Sequence, residues 1–229
     1  MPKAELNIKA LAKHKKRFLR FFPKAFRDQR YIEWERTYKW NAHKLFNEHL
    51  NKPDFAELIK RGQYEDVARY AQQVESRCTF LFSFEKMALR DALRSTSGAK
   101  TFAEGLYNLL YEPGPKKERF VEWIISVAEL PRVKSRVLSW PVLTFFPYIA
   151  QPKKHMIMKP SAMRFAAAEL GYDLDYSSKP SYRTYERLVH LADLVGDEIA
   201  DLQPRDYHDL QTFLWVMGSA EYERLAEEI

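Results

Sequence analysis

The chain has 229 residues and a mean hydropathy of −0.50, and 46% of its residues are hydrophobic and 14% aromatic. This composition excludes an intrinsically disordered body, and the apolar runs are too short to span a bilayer. The first thirty residues carry ten basic and two acidic side chains, so that segment holds +8 and the remainder −2. A local excess of positive charge on a nearly neutral body favours a polyanionic partner, most often nucleic acid.

Helix-forming residues dominate, only seven glycines occur and few segments alternate with period two, so we predict an all-α fold. The single cysteine, Cys78, cannot form an intramolecular disulfide, and we expect it to be a buried structural thiol. The N-terminus lacks the pattern of a secretory signal. We therefore expect a cytoplasmic protein.

Residues 4–22 predict a basic helix that ends at Pro23. This helix suits three roles, namely docking onto the body, lying on an anionic membrane or a partner helix, or lying along phosphates. We divide the chain into a basic N-terminal helical arm, 1–30, and a helical body, 31–229, with candidate lobes 31–112 and 116–229. The candidate nucleic-acid-binding residues on the arm are Lys13, Lys15, Lys16, Arg17 and Arg20.

Residues 30–50 predict an amphipathic helix with a continuous apolar and aromatic face. The residues of that face are Tyr31, Trp34, Tyr38, Ala42, Leu45 and His49. We interpret its aromatic residues as core, with a stacking platform for unpaired bases as the alternative. Glu35 and Lys39 form an i,i+4 pair on the flank of the helix.

A single long helix is predicted over 64–94, and shorter helices over 54–60, 99–111, 116–128, 160–170, 181–201 and 205–217. Prolines punctuate the second half and predict stiff turns between short helices. Glu85 lies near the apolar face of the long helix. It either pairs with Lys86 or Arg90, or is a buried carboxylate with a raised pKa that is suited to catalysis.

The segment 151–164 concentrates cationic side chains on a loop before a helix start, where free N–H groups favour an anion. Its candidate phosphate-binding residues are Lys153, Lys154, His155, Lys159 and Ser161; a solvated basic loop is the alternative. Asp206 and Asp209 either cap the last helix or face a cleft. The histidine spacing predicts no metal, and the lack of a glycine-rich phosphate loop predicts no nucleotide cofactor.

Residues 130–136, with the sequence LPRVKSR, precede a helix over 159–171 and a closing helix over 209–218. This arrangement resembles the helix-hairpin-helix DNA glycosylases over about 90 residues. The resemblance implies contacts between the hairpin and DNA phosphates, here through Arg132, Lys134 and Arg136, and release of a modified base. Arg132 and Lys134 replace the hairpin glycines, and the position of the family's nucleophilic lysine falls on Arg136, which cannot be deprotonated.

The position of the family's catalytic aspartate falls near Lys159, so the resemblance leaves catalysis to another residue. The candidates are Glu85, Asp206, Asp209 and, through a Schiff base, Lys159. Residues 31–43, 82–93 and 140–160 also resemble a bacterial family of helical proteins, a resemblance that implies no function.

Three functions stay open: a DNA glycosylase acting on an extruded base, a non-enzymatic nucleic-acid-binding protein, and a helical interaction module. A glycosylase requires a deep pocket beside 151–164 with a carboxylate in it.

Overall fold

The computed structural model describes residues 6–219, 221–222 and 224, and every regular element in this part of the chain is helical. The predicted all-α fold is confirmed. None of the described helices combines the length and apolarity that a bilayer span requires. The α-helices are α1 (Ile8–Phe21), α2 (Gln29–Tyr31), α3 (Thr37–His49), α4 (Lys52–Lys60), α5 (Tyr64–Ser76), α6 (Ser83–Leu93), α7 (Thr96–Tyr111), α8 (Lys116–Glu129), α9 (Trp140–Ala150), α10 (Pro160–Glu169), α11 (Tyr182–Glu198) and α12 (Tyr207–Gly218).

Two helices organise the packing. α7 packs against α4, α5, α6, α8 and α9, whereas α12 packs against α1, α10 and α11. α3 packs on both α5 and α9, and one apolar cluster includes residues of all these helices. α12 lies so close to α10 that a Cβ at Gly218 would be 2.4 Å from the Phe165 ring, so this approach requires glycine.

The basic helix α1 packs onto the body through its apolar face. Leu11, Phe18 and Phe21 are buried, and the Phe18 and Phe213 ring centroids are 5.4 Å apart. Ile8, an apolar residue in the first turn of the same helix, is 52% exposed. Residues 4 and 5 of the predicted helix lie outside the described residues. Because α1 buries its apolar face here, that face is not available to a membrane or a partner helix.

The helix predicted over 30–50 contains a π-helical turn, Ile32–Arg36, between α2 and α3. The Ile32 carbonyl accepts both the Thr37 N–H and the Thr37 hydroxyl, which closes a turn wider by one residue. The predicted face is wrong at Trp34, whereas Ala42 is buried and Tyr38 and Leu45 pack against the core as predicted. The extra residue turns Glu35 and Lys39 inward and leaves Trp34 45% exposed.

The single helix predicted over 64–94 is also wrong, because residues 77–82 interrupt it between α5 and α6. Cys78, Phe80 and Leu81 are buried in this connection, and burial raises the pKa of the Cys78 thiol to about 12. Phe84, which a single helix over 64–94 would place on the apolar face with Val67, Val74 and Cys78, is 59% exposed. Hydrophobic periodicity cannot distinguish one helix from two successive helices with apolar faces in register.

The sequence interpretation missed α9, all of whose residues are buried. Pro147 lies inside this helix and has no N–H to donate to the carbonyl of Leu143. The indole N–H of Trp123 donates to that carbonyl at 2.8 Å instead. A proline-rich sequence therefore forms the central helix, because a neighbouring side chain satisfies the carbonyl that proline leaves free.

We expect Phe18→Ala to lower the free energy of unfolding by about 3–5 kcal/mol, because it empties a fully buried site between α1 and α12. Ile8→Ala, on the exposed side of the same helix, is the control and should change it by about 0.5 kcal/mol or less. Urea denaturation of both variants measures the difference. Equal stability of the two would contradict the docking of α1.

Candidate functional site

A cleft of about 340 Å³ opens between α10, α12, the π-helical turn and the 77–82 connection. We call it the aromatic cleft because five aromatic side chains line it. They are Trp34, Tyr38, Phe80, Phe82 and Trp215. The volume lies within the range of about 300–1,000 Å³ that is usual for ligand sites.

This cleft is formed by the two features that the predicted helices did not include, the π-helical turn and the 77–82 connection. The π-helical turn brings Trp34 and Tyr38 to it, and the 77–82 connection brings Phe80 and Phe82. On the opposite side lie Lys159 and the first turn of α10. This cavity adjoins the 159–162 part of the segment 151–164, beside which a glycosylase requires a deep pocket.

The cleft contains the carboxylate of Glu35, which is 8% exposed. One of its oxygens accepts the Tyr222 hydroxyl at 2.8 Å, and the other accepts the Lys39 ammonium at 3.2 Å. The predicted i,i+4 pair of Glu35 and Lys39 is present, but the sequence interpretation placed it on the flank of the helix and did not include Glu35 among the candidate site residues. Only the widened turn brings it inward, and no sequence signal in the chain marks that turn.

Lys39 is completely buried beneath the cleft. Besides Glu35, its ammonium donates to the Gln211 side-chain oxygen at 2.7 Å and to the Thr212 hydroxyl at 2.6 Å. Burial lowers the pKa of Lys39, and the Glu35 carboxylate opposes that shift. These contacts fix Glu35 in one position.

Lys159, predicted as a candidate nucleophile and phosphate ligand, lies at the rim of the cleft. Its ammonium donates to the Phe80 carbonyl at 2.5 Å and lies 4.5 Å from the Phe82 ring centroid. Burial lowers its pKa. Ser161 is an exposed neighbour in the cleft lining, and it does not cap α10, whose N-cap is Lys159.

The other catalytic candidates make structural contacts. Asp206 caps α12 by accepting the His208 N–H, and both of its oxygens accept from the Arg36 guanidinium. Asp209 has no exposed surface and accepts from Tyr31, Arg36 and Arg205. Burial and the Asp209 charge raise the pKa of Tyr31. Neither carboxylate lines the aromatic cleft.

Both carboxylate oxygens of Glu85 also accept hydrogen bonds within the fold. One carboxylate oxygen accepts the Phe82 N–H at the start of α6 (2.9 Å), and the other accepts the Ser139 hydroxyl (2.6 Å). The side chain therefore ties α6 to the connection before α9. Lys86 and Arg90, its predicted partners, pair with Glu75 instead.

The candidate cations of α1 differ in exposure. Lys13 and Lys16 are exposed and form no ion pair with another described residue. Lys15 pairs with Asp201 at 2.6 Å, and Arg17 is half-buried. Arg20 is exposed near the C-terminal end of α1, where the Phe22 and Trp34 ring centroids are 6.3 Å apart. That end of the helix therefore approaches the aromatic cleft.

The cations predicted to cluster over 151–164 are divided between two surfaces. Met156, Ile157 and Met158 are buried in an extended stretch that separates Lys154 from Lys159. Lys153 and Lys154 line a second cavity of about 280 Å³. We call it the basic pocket; its charged residues are Lys116, Arg119, Lys153, Lys154 and Asp193.

The proposed hairpin residues Arg132, Lys134 and Arg136 are all exposed in the non-helical connection between α8 and α9. The described residues contain no metal-binding group of three or more His, Cys, Asp or Glu side chains.

A groove that shares Tyr38 with the aromatic cleft adds two cations that the sequence interpretation missed, Lys44 and Arg77.

The chain matches no model of a known protein family, no curated protein and no solved structure. Its function is therefore inferred from the geometry of these two cavities.

Acidification below about pH 6.5 should destabilise the fold through His155. Burial and the nearby cations lower the pKa of His155 to about 3 in the folded state, whereas its ordinary value is about 6.5. Between these values the unfolded chain binds one more proton. The contribution of His155 should therefore lower the free energy of unfolding by about 1.4 kcal/mol for each unit by which the pH falls within this range.

Urea unfolding between pH 6.5 and 5.0 measures that slope. His155→Gln should reduce it, whereas His49→Gln, at a half-buried surface position, should leave it unchanged. The same slope in the parent and His155→Gln would rule out the contribution of His155.

Proposed function

We propose that the protein binds nucleic acid, in particular DNA, and holds an unstacked base in the aromatic cleft. The observation that carries this proposal is the cleft itself, because it combines five aromatic side chains with one cation, Lys159, at its rim. Aromatic faces stack on any base, and cationic grooves follow the phosphate backbone.

The surface beside the cleft supports this proposal. Phe82, Phe84 and Met87 are each more than half exposed, and the two phenylalanine rings stack at an interplanar angle of 9°. Exposed apolar side chains at such a position are suited to enter a base step from which a nucleotide has been displaced. The extruded base then exchanges its stacking neighbours for the rings of the cleft.

The charges near the cleft suit a backbone path. Lys44 and Arg77 line the adjoining groove and form no ion pair with other described residues. Lys13 and Lys16 are further exposed cations on α1, whose C-terminal end approaches the cleft. A phosphate chain that crosses this surface exchanges its counterions for these side chains.

Trp34→Ala should weaken binding of a single-stranded oligonucleotide by about tenfold or more, because one stacking contact is lost. Trp40→Ala is the matched control, since Trp40 is 39% exposed and lies outside the cleft lining. Fluorescence anisotropy at low salt measures both affinities. If the two variants bind equally well, the cleft is not the base site.

A second candidate function, hydrolysis of an N-glycosidic bond, is favoured by the Glu35 carboxylate in the cleft. Hydrolysis breaks the bond between C1′ and the base; water supplies a hydroxyl group to the sugar and a proton to the leaving base. A fixed carboxylate next to the sugar would stabilise the positive charge that develops there. Lys39 and Tyr222 hold Glu35 in place for that role.

Glu35→Gln should slow base release from duplexes carrying modified bases by about a hundredfold or more, because the stabilising charge is lost. Glu33→Gln, at an exposed position on the same turn, is the control and should keep the parent rate. Mass spectrometry of the released base gives the rates. If the parent protein releases no base, the hydrolase proposal fails while the binding proposal stands.

A further inference from the structure

We propose that the basic pocket is a separate binding site for a phosphomonoester, the terminal phosphate of a nucleotide or of a nucleic-acid end. This site lies apart from the aromatic cleft and does not rest on the function proposed for it.

Charge is the first argument. Lys116, Arg119, Lys153 and Lys154 line the pocket, and Asp193 is the only carboxylate among its described lining residues. None of the four cations lies within 4.0 Å of a carboxylate in the described part of the chain. Asp193 accepts the Tyr207 hydroxyl at 2.6 Å. The lining of the pocket therefore carries an excess of positive charge.

Two of the four cationic side chains, Lys116 and Arg119, are fixed by the fold, and this is the second argument. Lys116 donates to the Lys154 carbonyl at 3.3 Å and lies 5.8 Å from the Tyr185 ring centroid. Arg119 donates to the Leu109 carbonyl at 2.7 Å through one nitrogen, while its buried Nε has no hydrogen-bond partner among the described residues. A free guanidinium N–H beside a cationic cavity is a donor that an anion satisfies.

His155 provides the third argument. It is 4% exposed, and its Nδ1 lies 3.0 Å from the Tyr185 hydroxyl. Burial, followed by the charges of Lys116, Arg119 and Lys154, lowers its pKa to about 3. The ring therefore stays neutral and can contact an anion without adding to the repulsion among the lysines.

The class of ligand follows from charge and shape. Four cations against one carboxylate suit a doubly charged monoester better than a singly charged backbone diester. The cavity extends from the cations to Leu110, Val189 and Tyr207, which offer apolar contact to the organic part of the ligand. Lys116 and Arg119 lie in the first turn of α8, which follows Pro115. No side chain caps this helix start, and free N–H groups at a helix start favour an anion.

The test uses the full chain with AMP, a 5′-phosphorylated oligonucleotide and the same oligonucleotide with a 5′-hydroxyl. AMP should bind in isothermal titration calorimetry, and the double variant Lys153→Gln/Lys154→Gln should weaken it by about tenfold or more. Both lysines are exposed, so the fold should tolerate the change. Lys117→Gln, an exposed lysine outside the pocket, is the control and should bind AMP like the parent.

A nucleic-acid end as the natural source predicts that the 5′-phosphate strengthens oligonucleotide binding in the parent but not in the double variant. A free nucleotide predicts tight AMP binding with no effect of the 5′-phosphate. The proposal is overturned if AMP does not bind, or if the double variant binds it like the parent. Trp34→Ala should keep AMP binding, so failure of the aromatic cleft and failure of this pocket are distinguishable.

Discussion

A buried set of charges between two helices is the constraint on which the structure depends. Arg36 and Lys39 face α12, where Asp206, Asp209 and Arg205 meet them, and Glu35 completes three cations and three carboxylates. Five of these side chains are largely buried, whereas Arg205 is 43% exposed; buried charges are tolerated only when each is paired and hydrogen-bonded. The alignment of these helices is therefore fixed by polar geometry as well as by apolar contact.

The π-helical turn is what makes this pairing possible. With the widened turn in place, Arg36 reaches Asp206 and Asp209 at the start of α12, and Glu35 reaches Tyr222 beyond its end. The same turn leaves Trp34 exposed, and Trp34 and Tyr38 both line the aromatic cleft. A structural requirement inside the molecule thus creates the exposed aromatic surface that we propose as a base site.

Much of the fold could be predicted from the sequence, because most helices end at a proline, a glycine or a capping side chain; α10 and α11 are examples. The aromatic cleft could not be predicted from the sequence. Its parts come from a π-helical turn and from a break at 77–82, and hydrophobic periodicity records neither. Glu85, Asp206 and Asp209 were attractive candidates because they are acidic residues near apolar faces, but burial with donors gives them structural roles.

The widened turn also reverses the usual tolerance of a helix to substitution. Along 31–40 the charged side chains at 35, 36 and 39 are buried, while the tryptophans at 34 and 40 face the solvent. Natural variation or random mutagenesis should therefore spare glutamate, arginine and lysine here and replace aromatic residues, unless a ligand restrains Trp34. A tryptophan that resists replacement at 34 but not at 40 would itself be the mark of a binding surface.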